Sequence, residues 1–194
     1  MKVVHKAVAA VVRDQGRGSE LLVFRHPLAG VQLPKGTVEP GEAYAAAALR
    51  ELHEESGLDF ALKPQPIGTW HRRMGAGANK DRQLEKHIWH NFALKVRHKL
   101  PDHWSHSAVG SPAEEGLVFE FFWRPLGPDL HRDVQPLFAP TVKKIQKYLA
   151  LRWPLSGFSP RCSHRFAYLF DQSWVRYLPK AEQYFRGAAK TPRR

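Results

Sequence analysis

The stretch that decides the fold runs from Gly36 to Leu58 and reads GTVEPGEAYAAAALRELHEESGL. From Glu42 to Ser56 it is rich in Ala, Leu and Glu, and Gly57 follows, which is the pattern of an α-helix with a glycine at its C-terminal end. Glu39-Pro40-Gly41 breaks the chain just before this pattern begins. The stretch therefore predicts a glycine-punctuated turn that leads directly into one helix over residues 42–56.

Helical periodicity separates the acidic residues of this helix from its apolar residues. Because successive residues turn by about 100°, the side chains of Glu51, Glu54 and Glu55 fall within one arc of roughly 100°. A separate arc holds the apolar residues Ala45, Ala48, Leu49 and Leu52. Carboxylates at these spacings repel one another by roughly 0.2–0.5 kcal/mol per pair, a cost that a divalent cation removes. Hard oxygen ligands suit Mg2+ or Mn2+, whereas an ordinary solvated helix face is the alternative interpretation.

The fixed residues of the stretch resemble the complete Nudix box, the signature of the Nudix hydrolase family. Gly36 is followed after five residues by Glu42, and after seven more by Arg50 to Leu58, which reads RELHEESGL. This matches the pattern Gly-x5-Glu-x7-Arg-Glu-apolar-x-Glu-Glu-x-Gly-apolar without a departure. Such a match arises by chance in fewer than about one in a million chains. The resemblance covers residues 1 to about 150.

The resemblance implies an α/β fold, the Nudix α/β/α sandwich with a mixed β-sheet. It also implies metal-dependent hydrolysis of a pyrophosphate bond in a small phosphorylated substrate, a nucleoside diphosphate linked to another group. In-line attack of a metal-activated water on phosphorus is the implied mechanism, with cations stabilising the charge of the transferring phosphoryl group. Mg2+ or Mn2+ is the expected cofactor.

Site residues follow from the resemblance by position in the box. Glu51, Glu54 and Glu55 are expected to bind the metal, together with the backbone carbonyl of Lys35, which precedes the first box glycine. Glu54 or Glu51 is the candidate general base within the box. Some family members instead take the base from a loop before the last strand of the sheet. In this chain Glu115, which follows Glu114, is the candidate of that kind.

Four box residues are expected to have structural roles. Gly36 lets the backbone approach metal and phosphate closely, and Gly57 ends the helix. Glu42 is expected in the first helical turn, where an acid favours the helix dipole and can reach Arg50. Arg50 lies one turn before Glu54, so it can orient that carboxylate.

Basic side chains near the box are candidates for binding substrate phosphates. Arg25 and Lys35 are favoured because they lie nearest the box in sequence, and Arg72 and Arg73 are weaker candidates. Aromatic side chains could stack a base, although core packing is the competing interpretation for each of them: Trp70, Trp89, Phe92 and Trp104. A zinc site among the eleven histidines is disfavoured because their spacing lacks a recognisable zinc pattern.

The remaining periodic segments predict a mixed sheet between helices. Strands are expected at His5–Val12, Leu21–Phe24, Ile67–Trp70, Lys86–Val96 and Leu117–Trp123, and a second helix at about residues 135–151. The first two strands form a hairpin across a Gly/Asp/Ser turn. We therefore assign residues 1–153 to the Nudix hydrolase domain and residues 154–194 to a C-terminal extension.

The extension is basic and aromatic. From Leu151 to Arg194 there are nine Lys/Arg and two Asp/Glu, so this segment carries +7 of the total formal charge of +12. Apolar residues that recur near helical spacing predict a short amphipathic helix in this segment: Phe166, Leu169, Phe170, Trp174 and Leu178. A basic, aromatic extension could bind nucleic acid, although a solvated basic surface is the simpler interpretation.

Composition limits the class of protein and its compartment. No segment approaches the roughly 20 apolar residues of a membrane span, so no membrane contact is expected. The apolar run after Lys6 is too short for a signal peptide, and a single cysteine, Cys162, fits a reducing cytoplasm. We therefore expect a cytoplasmic protein.

Three hypotheses for the function and its substrate remain. Leu33-Pro34-Lys35-Gly36 is similar to the corresponding sequence of diadenosine tetraphosphate hydrolases and of related inositol-pyrophosphate enzymes. A lysine there suits a long polyphosphate such as a dinucleoside polyphosphate. The stretch Arg73 to Ala76 carries neither the proline of ADP-ribose hydrolases nor the tyrosine of many dinucleoside polyphosphate hydrolases. An RNA 5'-end pyrophosphohydrolase is the second hypothesis, because of the extension. A non-catalytic nucleotide-binding Nudix module is the third, and the intact glutamates argue against it.

Overall fold

The computed structural model describes residues 1–15, 18–61, 63–74, 84–97, 99–110 and 114–152, and of residues 151 and 152 it describes the backbone only. The predicted linker and helix of the C-terminal extension, with Cys162, lie outside the described residues. So does the chain boundary expected near residue 153, which stays a prediction.

The described residues form one eight-stranded sheet. Its strands are β1 (Lys2–Gln15), β2 (Gly18–His26), β3 (Gly30–Gln32), β4 (Lys35–Thr37), β5 (Gln65–Met74), β6 (Glu85–Val96), β7 (His103–Ser107) and β8 (Val118–Pro125). The main order is β5-β6-β1-β2-β8-β7, with β3 paired to β2 and β4 paired to β1. The pair β1 and β6 is parallel, whereas the other pairs are antiparallel, so the sheet is mixed.

Central position explains the composition of β1. Residues Ala7 to Val12 are fully buried, since helices cover both faces of the sheet at this strand. An apolar run without alternation is typical of a strand that is buried on two sides. Side chains of β1 alternate between two cores. Ala7, Ala9 and Val11 belong to one core, and Val8, Ala10 and Val12 to the other.

Helices lie on the two faces of this sheet. They are α1 (Tyr44–Ser56), α2 (Leu130–Asp133) and α3 (Ala139–Arg152), and a short 3-10 turn at Pro136–Phe138 precedes α3. Ala48 and Leu52 of α1 are buried in the first core, and Val142 and Ile145 of α3 in the second. The expected α/β/α sandwich is therefore confirmed. We call the two sides of the sheet the α1 face and the α3 face.

The predicted elements are present with shifted boundaries. The hairpin of β1 and β2 is confirmed, with Val12 opposite Leu21. Helix α1 begins at Tyr44 rather than Glu42, and the last helix begins at Ala139 rather than about residue 135. A proline near a helix start fits this second shift, because Pro140 lacks the N–H that a helix interior needs. Strand β7 was not predicted, because its alternating polar residues resemble a loop in sequence.

None of the described helices has the length and apolar character needed to cross a membrane.

Candidate metal and phosphate site

Strand β4 brings the glycine loop of the box against the acidic side of α1. It pairs with β1 so that Gly36 lies opposite Ala7 and Lys35 lies opposite Val8. A Cβ atom on Gly36 would lie 1.7 Å from the carboxylate carbon of Glu51. Only a residue without a side chain therefore fits here while Glu51 holds this position. Gly36 therefore has a steric role, in addition to the expected role of letting the backbone approach metal and phosphate.

Glu55 is the most buried of the three acids on α1. Its residue is 2% exposed, and its Oε2 accepts a hydrogen bond from the Lys35 backbone N–H at 3.1 Å. Burial raises the pKa of Glu55 well above the usual carboxyl range, while the nearby charge of Lys35 opposes that shift. Burial also raises the pKa of Glu51, against the opposing charge of Arg50. Two desolvated carboxyl groups therefore lie side by side.

Arg50 connects the acids to the loop. Its Nη1 donates to Glu51 Oε1 at 3.0 Å and to Glu54 Oε2 at 2.9 Å, and its Nη2 donates to the Thr37 carbonyl at 2.9 Å. Its Nε donates to Glu42 Oε1 at 2.9 Å. The expected contacts of Arg50 with Glu54 and Glu42 are thus present. One guanidinium holds three acids and a carbonyl in a fixed arrangement.

Glu42 has a different structural role from the one expected. The helix starts at Tyr44 after Ala43, so Glu42 precedes the first turn, which contains no acid. Its Oε2 instead accepts a hydrogen bond from the backbone N–H of Glu39 at 2.9 Å, and hydrogen bonds from Arg50 lower the pKa of its carboxyl. Glu42 therefore closes the turn before the helix and binds Arg50 as expected, whereas its expected place in the first helical turn is wrong.

Lys6 is a basic residue of the site that the sequence analysis missed. Its ammonium donates to the Thr37 hydroxyl at 2.5 Å. Burial lowers the pKa of Lys6, with a further lowering by the charge of Lys35, while Glu51 and Glu114 oppose the shift. Two lysines therefore stand beside the buried acids. Position is the available sequence signal, because Lys6 immediately precedes the fully buried run Ala7 to Val12 of the same strand.

The donors fit a hard divalent cation. Glu51, Glu54 and Glu55 offer carboxylate oxygens, and burial leaves two of them poorly solvated, so a cation in contact with them would offset their desolvation. In the described part of the chain, no three His, Cys, Asp or Glu side chains converge as ready-made metal ligands. Arg50 instead holds Glu51 and Glu54, while a backbone N–H holds Glu55.

The profile of the family described as NUDIX domain matches residues 3–126, which is more than half of the chain. The chain belongs to the Nudix family. Nudix hydrolase 12, mitochondrial, of Arabidopsis thaliana is 37% identical over 78 residues, which are 40% of this chain and 37% of that protein. The chain thus matches well under half the length of this relative.

Solved structures similar to this Nudix chain share its fold. The NUDIX domain of Shewanella oneidensis NrtR complexed with ADP ribose is 13% identical with a TM-score of 0.52, over 77% of this chain and 90% of that one. A C. elegans Ap4A hydrolase binary complex is 18% identical with a TM-score of 0.50, over 76% and 98%. E. coli dihydroneopterin triphosphate pyrophosphohydrolase is 15% identical with a TM-score of 0.50, over 76% and 94%. At these identities the likeness shows the fold alone.

Two acids, Glu114 and Glu115, lie in the loop before β8, and Glu115 was expected to be the one that interacts with the box acids. Glu114 is half-buried, and its charge raises the pKa of the Glu55 carboxyl and opposes the lowering of the Lys6 pKa. Glu115 is exposed. The structure therefore brings Glu114, the residue not favoured by the sequence analysis, within electrostatic reach of the Nudix box acids.

Arg25 lies away from the described contacts of the box acids. On β2, Leu22 and Phe24 point into the core of the α1 face, and alternation directs Arg25 to the α3 face. There its guanidinium lies 6.0 Å from the centre of the Phe122 ring and 3.8 Å from Glu120. Its expected role in binding substrate stays a prediction.

The candidate base-stacking residues have packing roles in the described structure. Trp89 and Phe92 are buried in the two cores. The indole N–H of Trp70 donates to the Thr141 hydroxyl at 2.9 Å, and that of Trp104 donates to the Ser56 carbonyl at 3.0 Å. Trp104 thereby holds β7 against the C-terminal end of α1.

Proposed function

We propose that this Nudix chain is a metal-dependent pyrophosphohydrolase that cleaves the phosphoric anhydride bond of a nucleoside diphosphate-linked substrate. One observation carries the proposal, namely the burial of Glu51 and Glu55 beside Lys6 and Lys35. Crowded, desolvated acids lower the stability of a fold, so core packing alone does not account for them. A metal and phosphate site, by contrast, needs both the acids and the lysines.

The metal would be held by the side chains of Glu51, Glu54 and Glu55 and by the backbone carbonyl of Lys35. When bound, Mg2+ or Mn2+ supplies positive charge that polarises phosphoryl oxygens. The chain's own groups orient these ligands. Arg50 fixes two of the carboxylates, and the Lys35 N–H fixes the third.

The two lysines would bind substrate phosphates. The side chain of Lys35 lies on the α3 face, with its ammonium 6.0 Å from the centre of the Trp89 ring. Lys6 is half-buried on the neighbouring strand β1, where its charge interacts with that of Lys35. A pair of ammonium groups can neutralise adjacent phosphates along a chain, so a polyphosphate such as that of a dinucleoside polyphosphate is the favoured substrate class.

A carboxylate at the same site would accept the proton of the attacking water. Glu54 and Glu51 are the candidates within the box, and Glu114 replaces Glu115 as the candidate outside it. The support for Glu114 is its electrostatic interaction with Glu55 and Lys6. A general base of this kind contributes roughly 100- to 10,000-fold to the rate.

The test is an assay of the full chain against nucleotide sugars, dinucleoside polyphosphates, nucleoside triphosphates and triphosphorylated RNA. Each substrate is supplied with Mg2+, with Mn2+ and with a chelator. We expect hydrolysis of at least one anhydride that requires the metal and falls at least ~100-fold in Glu54→Gln. Glu39→Gln, an exposed acid in the same loop, is the matched control and should retain activity. Metal-independent turnover, or full activity of Glu54→Gln, would contradict the proposal.

RNA 5'-end hydrolysis is the second candidate. The charge of +7 carried by residues 151–194 supports it, because Lys and Arg bind the phosphate backbone of nucleic acids. If RNA is the substrate, removing residues 154–194 should weaken RNA binding and flatten its salt dependence, while hydrolysis of small nucleotides survives.

A further inference from the structure

The loop that follows β7 crosses the C-terminal half of α1. The backbone N–H of Val109 donates to the carbonyl of Glu54 at 3.1 Å, and that of Ala108 donates to the carbonyl of Leu117 at 2.9 Å. Ala108 itself is buried against the core of the α1 face. The loop is therefore fixed to the helix at the same residue that carries a box carboxylate.

Gly110 is the residue of this loop that meets the side chain of Glu54. A Cβ atom on Gly110 would lie 2.5 Å from the carboxylate carbon of Glu54, and 2.7 and 2.9 Å from its two oxygens. These separations are shorter than non-bonded atoms tolerate, so a side chain at position 110 would displace something. The carboxylate is the end of a flexible side chain, and it would move before the backbone does.

We propose that Gly110 is a positioning residue for the carboxylate of Glu54. Because Gly110 has no side chain, the carboxylate of Glu54 fits beside its Cα. In that position the carboxylate accepts the hydrogen bond from Arg50 at 2.9 Å. Gly36 of β4 makes the same kind of room for Glu51. Two glycines far apart in sequence thus set where two of the three box acids lie. This inference rests on the proposed metal-dependent function of the same site.

Backbone conformation alone is the competing explanation for Gly110. Its φ is +87°, a value that residues with side chains rarely adopt. Gly116 separates the two explanations, because its φ is +80° and a Cβ placed there would meet no atom of the described residues within 4 Å, its two chain neighbours aside. Alanine imposes a similar backbone strain at both positions, but it collides with a box carboxylate only at position 110.

The experiment compares Gly110→Ala and Gly116→Ala in the full chain, with Mn2+ as the probe. Binding is measured by electron paramagnetic resonance of free Mn2+, and the melting temperature is measured without metal. Both variants should melt at similarly lowered temperatures. Only Gly110→Ala should bind Mn2+ more weakly, by at least ~10-fold, as expected when the support of a ligand is lost. Equal Mn2+ affinity of the two variants would overturn the proposal.

Two further measurements keep the test decisive. If Gly110→Ala does not fold, Gly110→Asn replaces it, because asparagine tolerates positive φ, and it should show the same loss of Mn2+ affinity. In a Glu54→Gln background, the Gly110 substitution should cost no further affinity, and an additive loss would overturn the proposal. Failure of the unmodified chain to bind Mn2+ would instead refute the proposed function, so the two failures are distinguishable.

Discussion

The two ends of helix α1 both bury ionisable side chains, with opposite results. At the N-terminal end, the Tyr44 ring stacks on His90 with centroids 3.6 Å apart, and His5 Nδ1 lies 3.0 Å from His90 Nε2. At the C-terminal end, Glu51 and Glu55 are buried among charged groups. The same helix thus packs against rings at one end and against acids and bases at the other.

We call the first end, where burial leaves His90 neutral, the neutral end, and the second, where the charges of Arg50 and Lys35 oppose the effect of burial on the acids, the charged end. It lowers the pKa of His90 to about 4, and the charge of His5 adds to that lowering, so His90 is neutral near pH 7. Burial raises the pKa values of Glu51 and Glu55, but the charges of Arg50 and Lys35 oppose this. The difference favours the C-terminal end of α1 as the candidate functional site, because its desolvated acids have specific charged partners.

The largest expected effect is at the charged end. Glu55→Gln should lower hydrolysis at least ~100-fold, because a metal ligand is lost. The same change should raise the melting temperature of the metal-free protein, since the carboxamide has no charge to desolvate and its oxygen can still accept from Lys35. Activity assays and thermal unfolding with and without Mn2+ measure both effects. A variant that is less stable and still active would mean that the acids only support the fold. Glu39→Gln is the control.

His90 is the corresponding test at the neutral end. Its pKa is lowered in the folded protein, so the unfolded chain binds a proton first as pH falls, and stability declines from about pH 6.5 towards pH 4. A lowering of the pKa from 6.5 to about 4 corresponds to at most roughly 3.5 kcal/mol. We expect His90→Gln to flatten the dependence of the unfolding free energy on pH in this window, as measured by urea denaturation. The exposed residue His71, changed to Gln, is the control and should follow the original curve.

A smaller effect is expected from the loop acids. Glu114→Gln should lower turnover by ~10-fold or more at saturating metal, whereas Glu115→Gln should leave it nearly unchanged. The reason is that Glu114 interacts electrostatically with Glu55 and Lys6, while Glu115 is exposed. Measurement of kcat and KM for both variants side by side decides between the two acids. Wild-type rates in both variants would mean that the general base is Glu51 or Glu54 of the box.

The smallest effect is expected from the C-terminal extension. The contacts that the structure describes for both ends of α1 lie within residues 1–152, so a chain that ends at residue 153 should hydrolyse small pyrophosphate substrates with an unchanged metal requirement. The measurement is kcat/KM for such a substrate with Mg2+ and Mn2+. A soluble, folded truncation that is inactive on every small substrate would place the extension within the active domain.

Local patterns in the sequence predicted most of the fold. The apolar run of β1, the hairpin with β2 and the two faces of α1 follow from periodicity, because burial acts on residues at fixed spacings. Strands β3 and β4 have three residues each, and β7 alternates polar groups, so none of them carries a strong local signal. They form because longer neighbouring strands offer them hydrogen-bonding edges.

The box glutamates, Arg50 and the glycine turn were determined by the sequence alone, because their spacing along one helix and one loop fixes their mutual geometry. Only the tertiary structure decided which distant residues join them. Strand pairing places Lys6 beside Thr37, and the loops before β8 bring Glu114 and Gly110 to the same acids. Such contacts depend on how separate strands align in the sheet, and the spacing of residues along the chain does not contain that alignment.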